Sequence, residues 1–180
     1  MADTAEQKSL AVPLTAFAAG GAVALLVGVF GRVHDPTLTG TTDLGFDTVL
    51  EMKTAVTLVI AVLVVLQLAG ALWMYGKLGR PAPSWVGVAH RASGAVALLL
   101  SLFVAYSCLW SLGLEVGHLP SGEEVPLRTL VHGLAGCTLT GAVVVKLVAV
   151  RSRRSPGWFL PVAGGLLFSL FVLVILTSAV

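Results

Sequence analysis

Residues 54–75 read TAVTLVIAVLVVLQLAGALWMY and contain no charged side chain. An α-helix of this length rises about 30 Å, which matches the hydrocarbon thickness of a bilayer. Lipid offers no hydrogen-bond partner to the backbone, so a segment that crosses it must be helical. The stretch therefore predicts a transmembrane α-helix.

Four further apolar stretches of similar length lie at residues 11–30, 92–114, 129–150 and 158–180. The chain of 180 residues is 57% hydrophobic and 11% charged, whereas a soluble domain is about 25% charged. Its mean hydropathy is +0.96. The five spans use nearly all of the length, so no separate catalytic, nucleotide-binding or nucleic-acid-binding domain fits.

We predict a single all-α domain over residues 1–180, an integral membrane bundle of five transmembrane helices surrounded by the lipid bilayer. The net charge of +2 gives no sign of a nucleic-acid partner.

The basic residues predict the orientation. Eight fall on the side of the N-terminus and three on the opposite side: Lys8, Lys77, Arg80, Arg91, Lys146, Arg151, Arg153 and Arg154 against Arg32, Lys53 and Arg128. By the positive-inside rule the N-terminus is inside and the C-terminus outside. Asp3 and Glu6 precede the first span and no clear small-x-small cleavage site follows it, so we expect a retained anchor rather than a signal peptide. The predicted location is the cell (plasma) membrane, with multiple passes.

Small residues recur every four positions along the first span, at Gly20, Ala24 and Gly28. Such a strip gives a smooth helix face that another helix can approach closely. The strip predicts tight helix packing and is also a candidate surface for a homo-oligomer.

Two histidines each have a glycine four positions further on: His90 with Gly94, and His132 with Gly136. Positions i and i+4 share one face of a helix, so each imidazole should project beside backbone that carries no side chain. An axial histidine that holds a haem iron needs this room for the flat porphyrin. The same glycines would equally permit close helix contact, with the histidines facing water at the interface.

Several motifs in the second half resemble an uncharacterised family of actinobacterial membrane proteins. They are His90-Arg91-x-Ser93-Gly94, Val104-Ala105-Tyr106-Ser107-Cys108, Val131-His132-Gly133-x-x-Gly136 with Gly141-Ala142 and Lys146, Pro156-Gly157-Trp158-x-Leu160-Pro161-Val162-Ala163-Gly164-Gly165, and Thr177-Ser178. This resemblance brings no known activity.

The His-Arg-x-x-Gly motif also resembles, more distantly, the haem-bearing helices of transmembrane b-type cytochromes and ferric-reductase-like domains. That resemblance implies haem b held by histidines and electron transfer across the membrane. In relatives of the first family a histidine commonly stands at the position of Ser107, so this chain lacks that second outer ligand.

The predicted topology separates the two histidines. His90 should lie at the inner edge and His132 about one turn below the outer edge, on the order of 25 Å apart. One iron cannot reach both, so haem would need two sites or one five-coordinate site. On the inner side Met74 is a candidate second ligand, and Arg91 could meet a propionate. On the outer side the candidates are Met52, and His34 or His118 from the loops.

Three functions follow from these residues. The first is a small b-type haem protein that relays electrons within or across the membrane and exchanges them with a quinol or a redox protein, because the chain has no flavin or nicotinamide domain. The second is a haem-free accessory or structural membrane subunit. The third is a small transporter or proton-conducting bundle in which His90, His132 and Lys146 line a polar path. The sequence leaves open whether the protein is an enzyme.

Overall fold

The computed structural model describes residues 2–39, 41–115, 117, 123–152 and 155–178, with side chains from residue 10 onward. All regular elements in this part of the chain are helices: α1 Ala2–Val33, α2 Val49–Met74, α3 Ser84–Ser111, α4 Leu127–Arg151 and α5 Phe159–Ser178. Each is long and apolar enough to cross a membrane. The chain is therefore an all-α, multi-pass membrane protein, which confirms the predicted bundle of five helices; the orientation of the termini stays a prediction.

Four helices begin before the predicted spans, α4 by only two residues, at 127 rather than 129. A helix continues past the apolar run until its backbone is capped. α1 begins at residue 2 rather than 11. α2 begins at residue 49 rather than 54, since the Thr48 hydroxyl accepts a hydrogen bond from the Glu51 amide at 3.1 Å. Met52 and Lys53 consequently lie within the first two turns of α2.

α3 also begins early, and this moves a candidate ligand. It starts at residue 84, directly after Pro83, rather than at residue 92. The φ of Pro83 is −59°, which suits the approach to a helix. His90 and Arg91 therefore lie in the second turn of α3 and not before its start.

Glycines set the ends of α2 and α3. Gly76 adopts a φ of +70° just after α2, and Gly113 adopts a φ of +69° just after α3. Glycine reaches this left-handed conformation without steric cost, and it commonly terminates helices. The helices accordingly end at residues 74 and 111 rather than at the predicted 75 and 114.

The helices form two compact units. The three-helix unit contains α1, α4 and α5, and α4 packs against both of the others. The two-helix unit contains α2 and α3, packed on each other. The short connectors predict that α2 neighbours α3 and that α4 neighbours α5, and both neighbour relations are confirmed.

The small-residue strip of α1 packs on α4 within the three-helix unit. A Cβ added to Gly20 would lie 2.6 Å from the Gly141 carbonyl oxygen and 2.7 Å from the Cγ2 of Val145. A Cβ on Gly28 would lie 3.8 Å from the Cys137 sulfur. The prediction of tight helix packing is confirmed, and the partner is a helix of the same chain. A second copy could use this strip only by displacing α4; the homo-oligomer itself stays a prediction.

Candidate functional site

His132 lies in the second turn of α4 and is half-buried. Its Nδ1 is 3.2 Å from the Val174 carbonyl oxygen and 3.2 Å from the Thr177 hydroxyl oxygen, both on α5. A carbonyl oxygen only accepts hydrogen bonds, and the Thr177 hydroxyl donates to the Leu173 carbonyl at 2.7 Å. These contacts assign the hydrogen to Nδ1, so in the neutral imidazole the lone pair is on Nε2.

The backbone beside His132 is open on one side. A Cβ added to Gly136, one turn further along α4, would meet no atom within 4 Å among the described residues. At Gly133, by contrast, an added Cβ would overlap the Leu114 side chain. Of the two glycines that follow His132 on α4, only Gly136 has open space where a Cβ would lie.

Arg128 strengthens the same junction between α4 and α5. Its Nε donates to the Thr177 carbonyl oxygen at 3.1 Å. Arg128 and His132 lie four residues apart on one face of α4, and both contact the last turn of α5. This junction holds the imidazole in a defined orientation.

The space beside His90 is filled. A Cβ on Gly94 would lie 2.9 Å from the Gln67 side-chain oxygen, which comes from α2. Gln67 Nε2 donates to the His90 carbonyl at 2.8 Å and to the Ser93 hydroxyl at 2.7 Å. The His90 ring itself lies against α2, where its Nδ1 is 3.2 Å from the position of a Cβ on Gly70. The Gln67 amide therefore occupies the room that the sequence predicts for a flat ring beside Gly94.

The two candidate methionine ligands have different surroundings. The Met74 sulfur and the Arg91 guanidinium both lie along α3 near Gly87, at 3.9 Å and 3.6 Å from the position of its added Cβ. Met74 is exposed. Met52 is fully buried in the two-helix unit, with 0% exposure, and such burial is typical of a methionine that fills the core.

The other residues considered as haem ligands on the outer side form no cluster of metal-binding side chains within the described residues. His34 stacks on Phe30 with ring centroids 5.0 Å apart, and His118 lies outside the described residues. Ser107 is buried and donates to the Phe103 carbonyl at 3.0 Å. Within the described segments, no group of three or more His, Cys, Asp or Glu side chains could hold a bare metal ion.

The residues of the predicted polar path are spread along the chain. His132 and Lys146 both lie on α4, and their separation of 14 positions corresponds to about 21 Å along a helix. His90 belongs to the two-helix unit. Gln67 makes the clearest polar contact inside a span. In the sequence it stands out as the lone amide in the uninterrupted apolar run of residues 54–75.

These helices and contacts define a multi-pass membrane protein with one oriented histidine beside open backbone. The chain belongs to a family of unknown function, DUF6529, whose model matches residues 11–180. That match covers all five membrane-spanning helices. No curated protein and no solved structure matches the chain.

Replacement of Gln67 by leucine should cost a modest amount of stability. The change removes the hydrogen bonds to the His90 carbonyl and the Ser93 hydroxyl, and such bonds between membrane helices contribute about 0.6 kcal/mol on average. We expect a loss of about 1 kcal/mol, measured by equilibrium unfolding in mixed detergent micelles. If Gln67→Leu costs as much stability in the Ser93→Ala variant as in the wild type, Gln67 does not act through Ser93.

Proposed function

We propose that this protein is a small integral-membrane haem b protein with one haem site, at His132, and that it relays electrons within or across the cell membrane. The observation that carries the proposal is the hydrogen bond of His132 Nδ1 to the Val174 carbonyl. Histidines that bind metals almost always donate their second ring N–H to a carbonyl, carboxylate or water, and this contact fixes both tautomer and ring orientation.

The residues around His132 fit such a group. Nε2 of His132 would bind the haem iron, and the open backbone at Gly136 would leave room for the group on α4. Thr177 supports the imidazole through its hydroxyl oxygen. Haem iron, when bound there, supplies reversible one-electron transfer. The residues at His90 fit a haem less well, because Gln67 fills the space beside Gly94. We therefore propose one haem per chain rather than two.

The electrons would come from a quinol or a partner redox protein. The five apolar spans take up most of residues 1–180, so we place the electron donor outside them. The predicted orientation, with the N-terminus inside, would put the start of α4 towards the outer face. The proposed site would therefore exchange electrons near that face of the plasma membrane.

A haem-free accessory subunit is the second candidate, and a specific observation favours it. Gln67 joins α2 to α3, and His132 joins α4 to α5, through polar contacts that need no cofactor. Hydrogen bonds of this kind stabilise helix packing in lipid. In this alternative the histidines serve assembly alone.

One absorption spectrum distinguishes the two. The protein is expressed with ample haem precursor and purified in mild detergent. The haem protein is expected to show an intense Soret band and, on reduction with dithionite, a sharp α-band. A colourless preparation with the helix content of five spans and a single symmetric elution peak would contradict haem binding and favour the accessory subunit.

A further inference from the structure

Lys146 is a half-buried lysine inside a membrane-spanning helix. Its ammonium nitrogen lies 2.9 Å from the position that a Cβ on Gly164 of α5 would take. A side chain at position 164 would therefore displace the ammonium group. The glycine creates a notch between α4 and α5 that the lysine head group occupies.

No described group neutralises this ammonium. The described part of the chain gives the Lys146 ammonium no ion pair and no hydrogen bond. The described acidic side chains of the three-helix unit, Glu115, Glu123 and Glu124, precede the start of α4. From that start to Lys146 the helix rises about 28 Å. A charged group in hydrocarbon is costly without a counter-charge, so an anion bound beside Lys146 would stabilise it.

We propose that Lys146 and the bare backbone at Gly164 form a binding site for the phosphate group of an anionic phospholipid. Lys146 lies five positions before the end of α4 at Arg151, or about 7.5 Å along the helix, so its ammonium is close enough to the membrane surface for a lipid phosphate to reach it. Arg151 and Trp158 are exposed at the same end of the α4–α5 hairpin. Basic notches between transmembrane helices are typical sites for anionic head groups. Inorganic phosphate offers the same chemistry, but a lipid presents its phosphate at this depth.

Native mass spectrometry of the full chain in detergent tests the site. Phosphatidylglycerol and phosphatidylcholine are titrated separately against wild type, Lys146→Met, Lys146→Arg and the control Lys77→Met. Lys77 is an exposed lysine just beyond α2. We expect wild type to retain one phosphatidylglycerol more tightly than phosphatidylcholine. Lys146→Met should weaken that binding about fivefold, the effect of one basic residue near anionic lipid, whereas Lys146→Arg and Lys77→Met should keep it.

Lys146→Met replaces the ammonium with an apolar thioether of similar length, so we expect it to fold; the melting temperature of each variant is measured alongside. If Lys146→Met does not fold, loss of the phosphatidylglycerol preference in Lys146→Gln serves as the test. Equal retention of the two lipids by wild type, or an undiminished preference in the Lys146 variant, would overturn the proposal. Displacement of phosphatidylglycerol by millimolar inorganic phosphate would overturn the assignment to a lipid.

Discussion

Replacement of Gly20 by alanine is expected to destabilise the three-helix unit by about 2 kcal/mol, whereas the same change at Gly21 should not. The added methyl at position 20 would lie 2.6 Å from the Gly141 carbonyl oxygen, which belongs to the backbone and cannot rotate away. α1 and α4 would have to move apart, and overpacking of this kind typically costs about 1–3 kcal/mol. A methyl at Gly21 meets no atom within 4 Å in the described structure. There alanine should gain up to about 1 kcal/mol from its higher helix propensity.

The measurement is equilibrium unfolding of the purified protein in mixed detergent micelles, with Gly141→Ala as a third variant. A methyl on Gly141 would overlap the Gly20 carbonyl oxygen and approach the Ala24 Cβ to 3.1 Å. Gly20→Ala and Gly141→Ala should therefore both lose stability. Equal stability of the Gly20 and Gly21 variants would mean that α1 does not pack on α4 through this strip.

Replacement of His132 by alanine should remove at least nine-tenths of the bound haem. In the proposed site His132 would hold the haem iron, and the change deletes that ligand. Thr177→Val should have a smaller effect in the same direction, because it removes the hydroxyl that supports Nδ1. Changes to such supporting groups commonly weaken metal binding by about 10–100-fold. The ratio of Soret absorbance to protein absorbance measures haem content.

His90→Ala is the matched control. Gln67 bonds to the backbone carbonyl of His90 and not to its ring, so the alanine variant keeps that contact and should retain both fold and haem. Haem content that falls in His90→Ala and persists in His132→Ala would place the cofactor in the two-helix unit, against the proposal.

The five spans could be predicted from the sequence because burial in lipid imposes an apolar requirement on every residue of a span. The helix ends could not. Thr48 caps α2 with its side chain, and Gly76 ends the same helix through its φ of +70°. Both features depend on local backbone geometry outside the apolar run, so counting apolar residues misses them.

The candidate site was less accessible to sequence reasoning. His90 with Gly94 and His132 with Gly136 are equivalent patterns, yet Gln67 from a neighbouring helix fills one notch and nothing described fills the other. The side chain that contacts a glycine on a neighbouring helix is decided by how the two helices are aligned. The spacing of residues within one helix gives no information about that alignment. The contact that orients His132 is to a backbone carbonyl, Val174, which every residue possesses and no sequence pattern marks.

The haem-to-protein ratio tests the central claim most directly. Protein expressed with ample haem precursor is purified, its haem is quantified as the pyridine complex, and its chain concentration is determined by amino-acid analysis. Because the room beside His132 is open and that beside His90 is filled, the account predicts one haem per chain. A ratio near two, or a well-folded chain with none, would contradict it.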